Sequence, residues 1–340
     1  MAEILVEVTR GPIVESRHYG DVAVCNGRGE LIAYMGDPEF VTYIRSACKP
    51  VQALNRFCSG SAEKWDFTEK EYAIMCSSHY GEPMHQEVIL GLLGKIGCKL
   101  DDLHTGTPYS IRPAYYEQQL KEHHVLKPYN SDCSGKHCGF LSDCIASGYP
   151  KEGYYRPDHP VQKDVLKIVS EVADIPAEEI AIGIDGCSVP VHGMPLRNMA
   201  KAYARFSTPE NLPEKYRNGA KIFADAMNAE PDMLAGPGGF CTEFLRATHG
   251  RFVGKLGAEA VYCIGVRGKD LGIAVKIEDG NMMRPLYPAV MSVLDQLGLL
   301  SDEEKDALRQ FIELPVINDH GNVVGSVQPV FRLNFTGKDY

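Results

Sequence analysis

The chain has no surplus of positive charge: 35 Lys and Arg stand against 45 Asp and Glu in 340 residues, a formal net charge of −10. An acidic chain without a basic stripe is poorly suited to nucleic acid or an anionic membrane surface, so neither is expected as a partner. No stretch approaches the roughly 18 uninterrupted apolar residues of a membrane-spanning helix. The amino terminus, MAEILVEVTRGP, has neither a basic leader nor a small-residue cleavage site, and Glu3, Glu7 and Arg10 interrupt its apolar run, so no secretory signal is read there. There is one tryptophan, and there is no internal repeat, low-complexity tract or long linker. Cysteine is not scarce, but its count of eleven is odd and its spacing follows no framework, so free thiols in a reducing cytoplasm are expected. What is present is ordinary for a globular protein: 44% apolar and 24% charged residues, in a chain long enough for about two domains.

Alternating apolar and polar residues predict strands over Ile4 to Val8, Asp21 to Cys25 and Glu30 to Met35, with a hairpin at Asn26-Gly27-Arg28-Gly29. From Ala47 the period becomes helical. Glu82 to Ile96, Arg112 to His124, His159 to Ala173, Pro195 to Phe206 and Pro213 to Asn228 each carry apolar residues three or four apart. Strands return after Gly250, at Ala260 to Val266 and Gly272 to Glu278. Met283 to Leu297 and Asp302 to Phe311 read as helices, and Asn318 to Leu333 as a last hairpin turning at His320-Gly321-Asn322. The expected class is α+β. An antiparallel sheet domain is built from residues 1–45 and 250–340 with flanking helices, and a mainly helical domain spans 46–249, with the active site at their junction.

Four segments carry chemistry. Ser46 and Lys49 form S-x-x-K where strand gives way to helix. Pro50 is tolerated only in a first helical turn, so the helix starts near Ser46 and the two side chains share a face. A desolvated Lys49 amine is then a general base for the Ser46 hydroxyl. Ser61-Ala62-Glu63-Lys64 repeats the spacing in a charged loop, which shows how little the bare motif means. Ser78 and His79 lie in Cys76 to Pro83, where helix capping is the plainer reading. Lys255, in Gly254-Lys255-Leu256-Gly257, lies directly before a strand and reads either as a turn lysine or as a residue at a ligand-bearing edge. Cys133, Lys136 and His137 share a face if a helix begins at Cys133. With Cys187, in Asp185-Gly186-Cys187, Cys133 offers soft donors for an ion such as zinc, or simply two buried thiols. The Gly- and Pro-rich stretch Met233 to Glu243 is not a P-loop and reads as a binding loop or a connector.

Taken in order, S-x-x-K, a second serine and a late K-x-G are the parts of serine penicillin-recognising acyl hydrolases. The chain further resembles the rhizobial-type (class 3) L-asparaginases from end to end. The segments that carry the likeness are Ile44 to Pro50, Ser77 to His85, Cys133-Ser134-Gly135-Lys136-His137, Asp185-Gly186-Cys187 and Gly254 to Glu259. The resemblance implies a fold like that of serine β-lactamases and glutaminases, a homodimer, and hydrolysis of L-asparagine to L-aspartate and ammonia. The alternative is a glutaminase or another serine acyl hydrolase. It implies Ser46 as nucleophile, Lys49 as its base, and Ser78 with Lys255 as a second Ser–Lys pair. It further implies zinc held by Cys133, Lys136 and Cys187, and contacts to the amino-acid substrate from Arg45, His137, Asp185 and Cys241. The chain departs from the family pattern at Asp132, where Asn is common, and in the Gly-Pro loop before Cys241.

Overall fold

The computed structural model describes residues 1–337. The chain divides into two compact units. The first comprises Met1–Ala47, Met194–Thr208 and the chain from Glu243 onward; the second comprises Cys48–Gly193 and Pro209–Thr242.

The first unit is an antiparallel sheet, nine-stranded among the described residues, to which both ends of the chain contribute. Its main path runs Leu314–Ile317, Val323–Pro329, Glu3–Arg10, Ile13–Cys25, Leu271–Ile277, Val261–Val266, Phe252–Gly257. Leu31–Met35 pairs with the second half of Ile13–Cys25 and in turn with Asn334–Phe335. Every residue of Val261–Val266 and Leu271–Ile277 is buried, which explains why both sequences are apolar almost throughout, Lys276 being the one charged residue. Helix Leu196–Ser207 lies on these two strands, with Leu196, Met199, Ala200, Tyr203 and Ala204 buried along one face. Its sequence position suggests the helical middle of the chain, but its apolar face belongs to the sheet. The last hairpin differs from the sequence reading. Its first strand is Leu314–Ile317, and Asn318 belongs to the turn, where its side-chain oxygen accepts from the amides of His320 and Asn322.

The second unit is mainly helical. It also contains a hairpin that the sequence reading missed, Ala181–Ile184 against Pro190–Pro195, with Ala181 opposite Gly193 and Ile184 opposite Pro190. One strand is only four residues long and the other is bounded by prolines, so periodicity has nothing to work on. Helix Ser134–Ser147 crosses Glu69–Met75 closely: a Cβ on Gly135 would collide with the Ile74 carbonyl. A buried charge cluster ties the same helix to the chain after Lys49. Asp143 accepts from Arg56 through Nη2 and through Nε at 2.7 Å, from Asn55 at 2.8 Å and from Ser61 at 3.1 Å. The serine of the second S-x-x-K is therefore structural. No helix among the described residues is long and apolar enough to cross a membrane.

Candidate active site

In the first unit the chain reaches Ser46 through a strained residue. Arg45 has φ of 50°, left-handed and rare for a side chain of its size, at a cost of about 1–3 kcal/mol that its surroundings must offset. A 3-10 turn, Arg45–Cys48, follows and leads into helix Lys49–Ala53. The end of strand Phe252–Gly257 presses on this backbone, where a Cβ at Gly257 would stand 2.7 Å from the Ile44 carbonyl. Tyr203 donates its hydroxyl to the Ala47 carbonyl at 2.6 Å. Beyond Gly257 the turn holds two more left-handed residues, Glu259 and Ala260. Lys276 donates to the Glu259 carbonyl at 2.5 Å, and the Glu259 carboxylate lies 4.0 Å from the Arg45 guanidinium. Lys255 is inside the strand rather than ahead of it: it is opposite Cys263, fully buried, and donates to the Leu256 carbonyl at 2.7 Å. The glycines on either side obscured the strand, because glycine is weak evidence for one.

In the second unit, helix Glu69–Met75 ends in Cys76, and Ser77-Ser78-His79 runs on outside helix and strand. The Ser78 and Tyr80 amides donate to the Leu234 and Ala235 carbonyls at 2.9 and 2.8 Å, which fixes this segment beside the start of the Gly-Pro loop. The Lys49 amine is buried against it. It donates to the Ser77 carbonyl at 2.5 Å and to the Ser78 hydroxyl at 3.0 Å, and it lies 3.5 Å from an Asp132 carboxylate oxygen. Asp132 is thus a partner that the sequence marked only as a departure from the family pattern. His79 accepts from the Gly81 amide at Nδ1, so its proton is on Nε2, 2.9 Å from the Ser134 hydroxyl. Burial holds this imidazole neutral, helped by His85, which stacks on it, and by the Lys49 charge.

Cys133 precedes helix Ser134–Ser147 as its cap residue and is not its first turn, yet Cys133, Lys136 and His137 do gather with Cys187. Cys187 sits in the turn of the missed hairpin, and Lys136 Nζ is 3.2 Å from its sulfur. A hydrogen bond from Cys133, then the Lys136 charge and His137, hold Cys187 as a thiolate against the cost of burial, while Cys133 stays a thiol. Burial opposes the charge on Lys136, but the two sulfurs outweigh it and the amine's pKa is raised. Among the described residues no three His, Cys, Asp or Glu side chains form a cation site. Two sulfurs and the Lys136 nitrogen do fit a soft divalent ion, provided that Cys133 and Lys136 give up protons to it. Asp185 opens the same turn, accepting from the Gly186 amide at 2.8 Å, and adds to the field at Lys136. Cys241 is buried near the start of helix Phe240–Ala247.

A lysine amine on a serine hydroxyl, both buried, is the equipment of a Ser/Lys amidohydrolase. The chain belongs to the L-asparaginase II family, whose pattern it matches over residues 6–329, and it is an amidohydrolase. Among solved structures it is similar to a β-lactamase from Mycobacterium bovis, at 14% identity and TM-score 0.41, covering 82% of this chain and 94% of that one. A putative β-lactamase from Bacteroides dorei is similar at 11% identity and TM-score 0.39, covering 76% and 84%. Both likenesses are loose and say nothing about activity. A search of curated proteins gives no significant match.

Proposed function

We propose that the enzyme hydrolyses L-asparagine to L-aspartate and ammonia, with Ser46 as nucleophile. In its neutral form the Lys49 amine takes the Ser46 proton as the serine oxygen bonds to the side-chain amide carbon. The C–N bond then breaks, and ammonia leaves with a proton passed through Ser78 and Lys255. Water attacks the resulting β-aspartyl ester and restores Ser46. Arg45 and Asp185 supply opposite charges for the α-carboxylate and α-ammonium, with His137 and Cys241 lining the pocket. The observation that carries this reading is the contact of Lys49 with Ser78, beside Asp132, in a family of L-asparaginases. Zinc is proposed on Cys133, Lys136 and Cys187. When bound it supplies fixed positive charge that orients the substrate, since a serine nucleophile is already present.

Ammonia release by purified protein tests the assignment. Ser46→Ala is expected to lower kcat by about a thousandfold or more while keeping its melting temperature; activity near that of the wild type in this variant would falsify the nucleophile. Parallel kinetics on L-asparagine and L-glutamine decide between this activity and a glutaminase. The reading includes a cytoplasmic homodimer, supported by the many thiols and by the family resemblance. Light scattering is expected to give about twice the 37.5 kDa chain mass, and a monomeric mass refutes the dimer.

A further inference from the structure

His137 is fully buried beside the Cys133–Lys136–Cys187 cluster, and a count of donor types would make it the next ligand for a cation there. The residue on its other side argues against that. Tyr154, 2% exposed, places its hydroxyl oxygen 2.6 Å from His137 Nδ1 and 2.9 Å from the His104 backbone amide. The two rings meet edge to face, with centroids 5.4 Å apart, and the Tyr154 carbonyl is anchored by the Gln162 side chain at 2.9 Å.

A phenol has one proton. The His104 amide can only donate, so the hydroxyl oxygen accepts from it, and the phenolic proton needs an acceptor of its own. Nδ1 is the group within reach. If Nδ1 carried hydrogen, the oxygen would receive two donors and the buried phenolic proton would have no acceptor, an arrangement folded proteins avoid. Nδ1 is therefore the acceptor, and the imidazole hydrogen is on Nε2. That atom is buried, faces the Cys187 sulfur, and makes no well-formed hydrogen bond among the described residues.

We propose that Tyr154 is a positioning residue that locks His137 as the Nε2–H tautomer, which makes the imidazole a hydrogen-bond donor into the cluster and bars it from binding a cation there. Nε2–H serves the Cys187 thiolate or an anionic group of the substrate. It has no lone pair in the ring plane to offer a metal. Positions of this kind fix which nitrogen of a histidine is available, and they are as consequential as the ligands themselves.

The test is the long-range 1H–15N spectrum of histidine-labelled protein, with the His137 signals assigned by loss in His137→Gln. The spectrum is recorded after chelation and again with zinc added. The expected pattern in both is a protonated Nε2 and an unprotonated, hydrogen-bonded Nδ1. An Nδ1–H pattern, or a zinc-induced shift of Nε2 to the metal-bound range, overturns the proposal. Tyr154→Phe is expected to convert the single tautomer into an exchanging mixture; an unchanged pattern overturns the role of Tyr154. If that variant does not fold, fluorotyrosine incorporation carries the same test: the more acidic phenol shifts His137 Nδ1 if the bond exists, and absence of a shift overturns it. The kinetic arm rests on the asparaginase reading. Tyr154→Phe should raise KM for L-asparagine about tenfold, the scale of one hydrogen bond, and leave kcat within about twofold. The tautomer is read without any substrate, so failure of the activity and failure of the lock are separable.

Discussion

His192 shows how costly a buried polar side chain can be. It is 1% exposed on the strand Pro190–Pro195, opposite Ile182, and neither ring nitrogen has a hydrogen-bond partner among the described residues. Burial, helped by the Lys136 charge, pushes its pKa down to about 4. The sign of the consequence follows from linkage. Above about pH 6.5 the ring is neutral folded and unfolded, and its ionisation does not affect stability. Between about 6.5 and about 4 the unfolded chain takes up a proton that the folded one refuses, so stability falls as pH falls; below about 4 the loss is complete. The total is about 3 kcal/mol. His79, His85 and His137 are also depressed by burial and add acid lability of their own, so a comparison isolates His192. Denaturant unfolding from pH 7 to pH 4 is expected to cost the wild type up to about 3 kcal/mol more than His192→Phe; parallel curves refute the account. At this scale the sequence reading reached the motif residues because their neighbours name them. Asp132 is marked only as a departure from the family pattern, and Tyr154 and His192 have no signal, because their importance lies in what faces them across many residues of chain.

Two elements decide where Lys49 and Lys136 stand. The short helix Asn55–Cys58, which directly follows the helix Lys49–Ala53, is joined to the helix Ser134–Ser147 by the Arg56–Asp143 cluster, in which the guanidinium also lies over the Phe140 ring at 5.4 Å. Removing one member of a buried ion pair strands the other charge, a loss of about 3–5 kcal/mol. Asp143→Ala is expected to lose that much in denaturant unfolding. The Arg56→Met, Asp143→Leu double variant should recover a large part of it, because no charge is then left alone. A single variant within about 1 kcal/mol of wild type would show that the cluster is not a structural tie. Element boundaries were mostly legible: Pro83, Pro113 and Pro160 each begin a helix as first-turn prolines do. The strand read from Asp21 in fact begins at Ile13, and the other elements that were not legible are short or interrupted. The four-residue strand Ala181–Ile184 lies below the length at which a period can be seen, and Lys255 lies in a strand broken up by glycine.

Each of the two units is assembled from pieces distant in the chain. The segment Met194–Thr208 interrupts the helical unit, but its helix buries Met199 and Tyr203 in the sheet unit. A fragment spanning residues 48–242 therefore carries an apolar helix face with nothing to cover it. The expectation is that this fragment binds a hydrophobic dye strongly and aggregates at concentrations where the full chain is monodisperse; a well-behaved, dye-silent fragment would refute that division. Local sequence alone determined the class of the protein, because strand and helix periods are local and because Ser46, Lys49, Cys133 and Lys136 lie in short contiguous motifs. It also determined the family, through those motifs. Only the tertiary structure decided which partner each polar group meets: Lys49 with Ser78 and Asp132, Cys133 with Cys187, Tyr154 with His137. The physical reason is that a buried charge or ring nitrogen is defined by the few ångströms around it, and those few ångströms are filled by residues brought in from elsewhere in the chain.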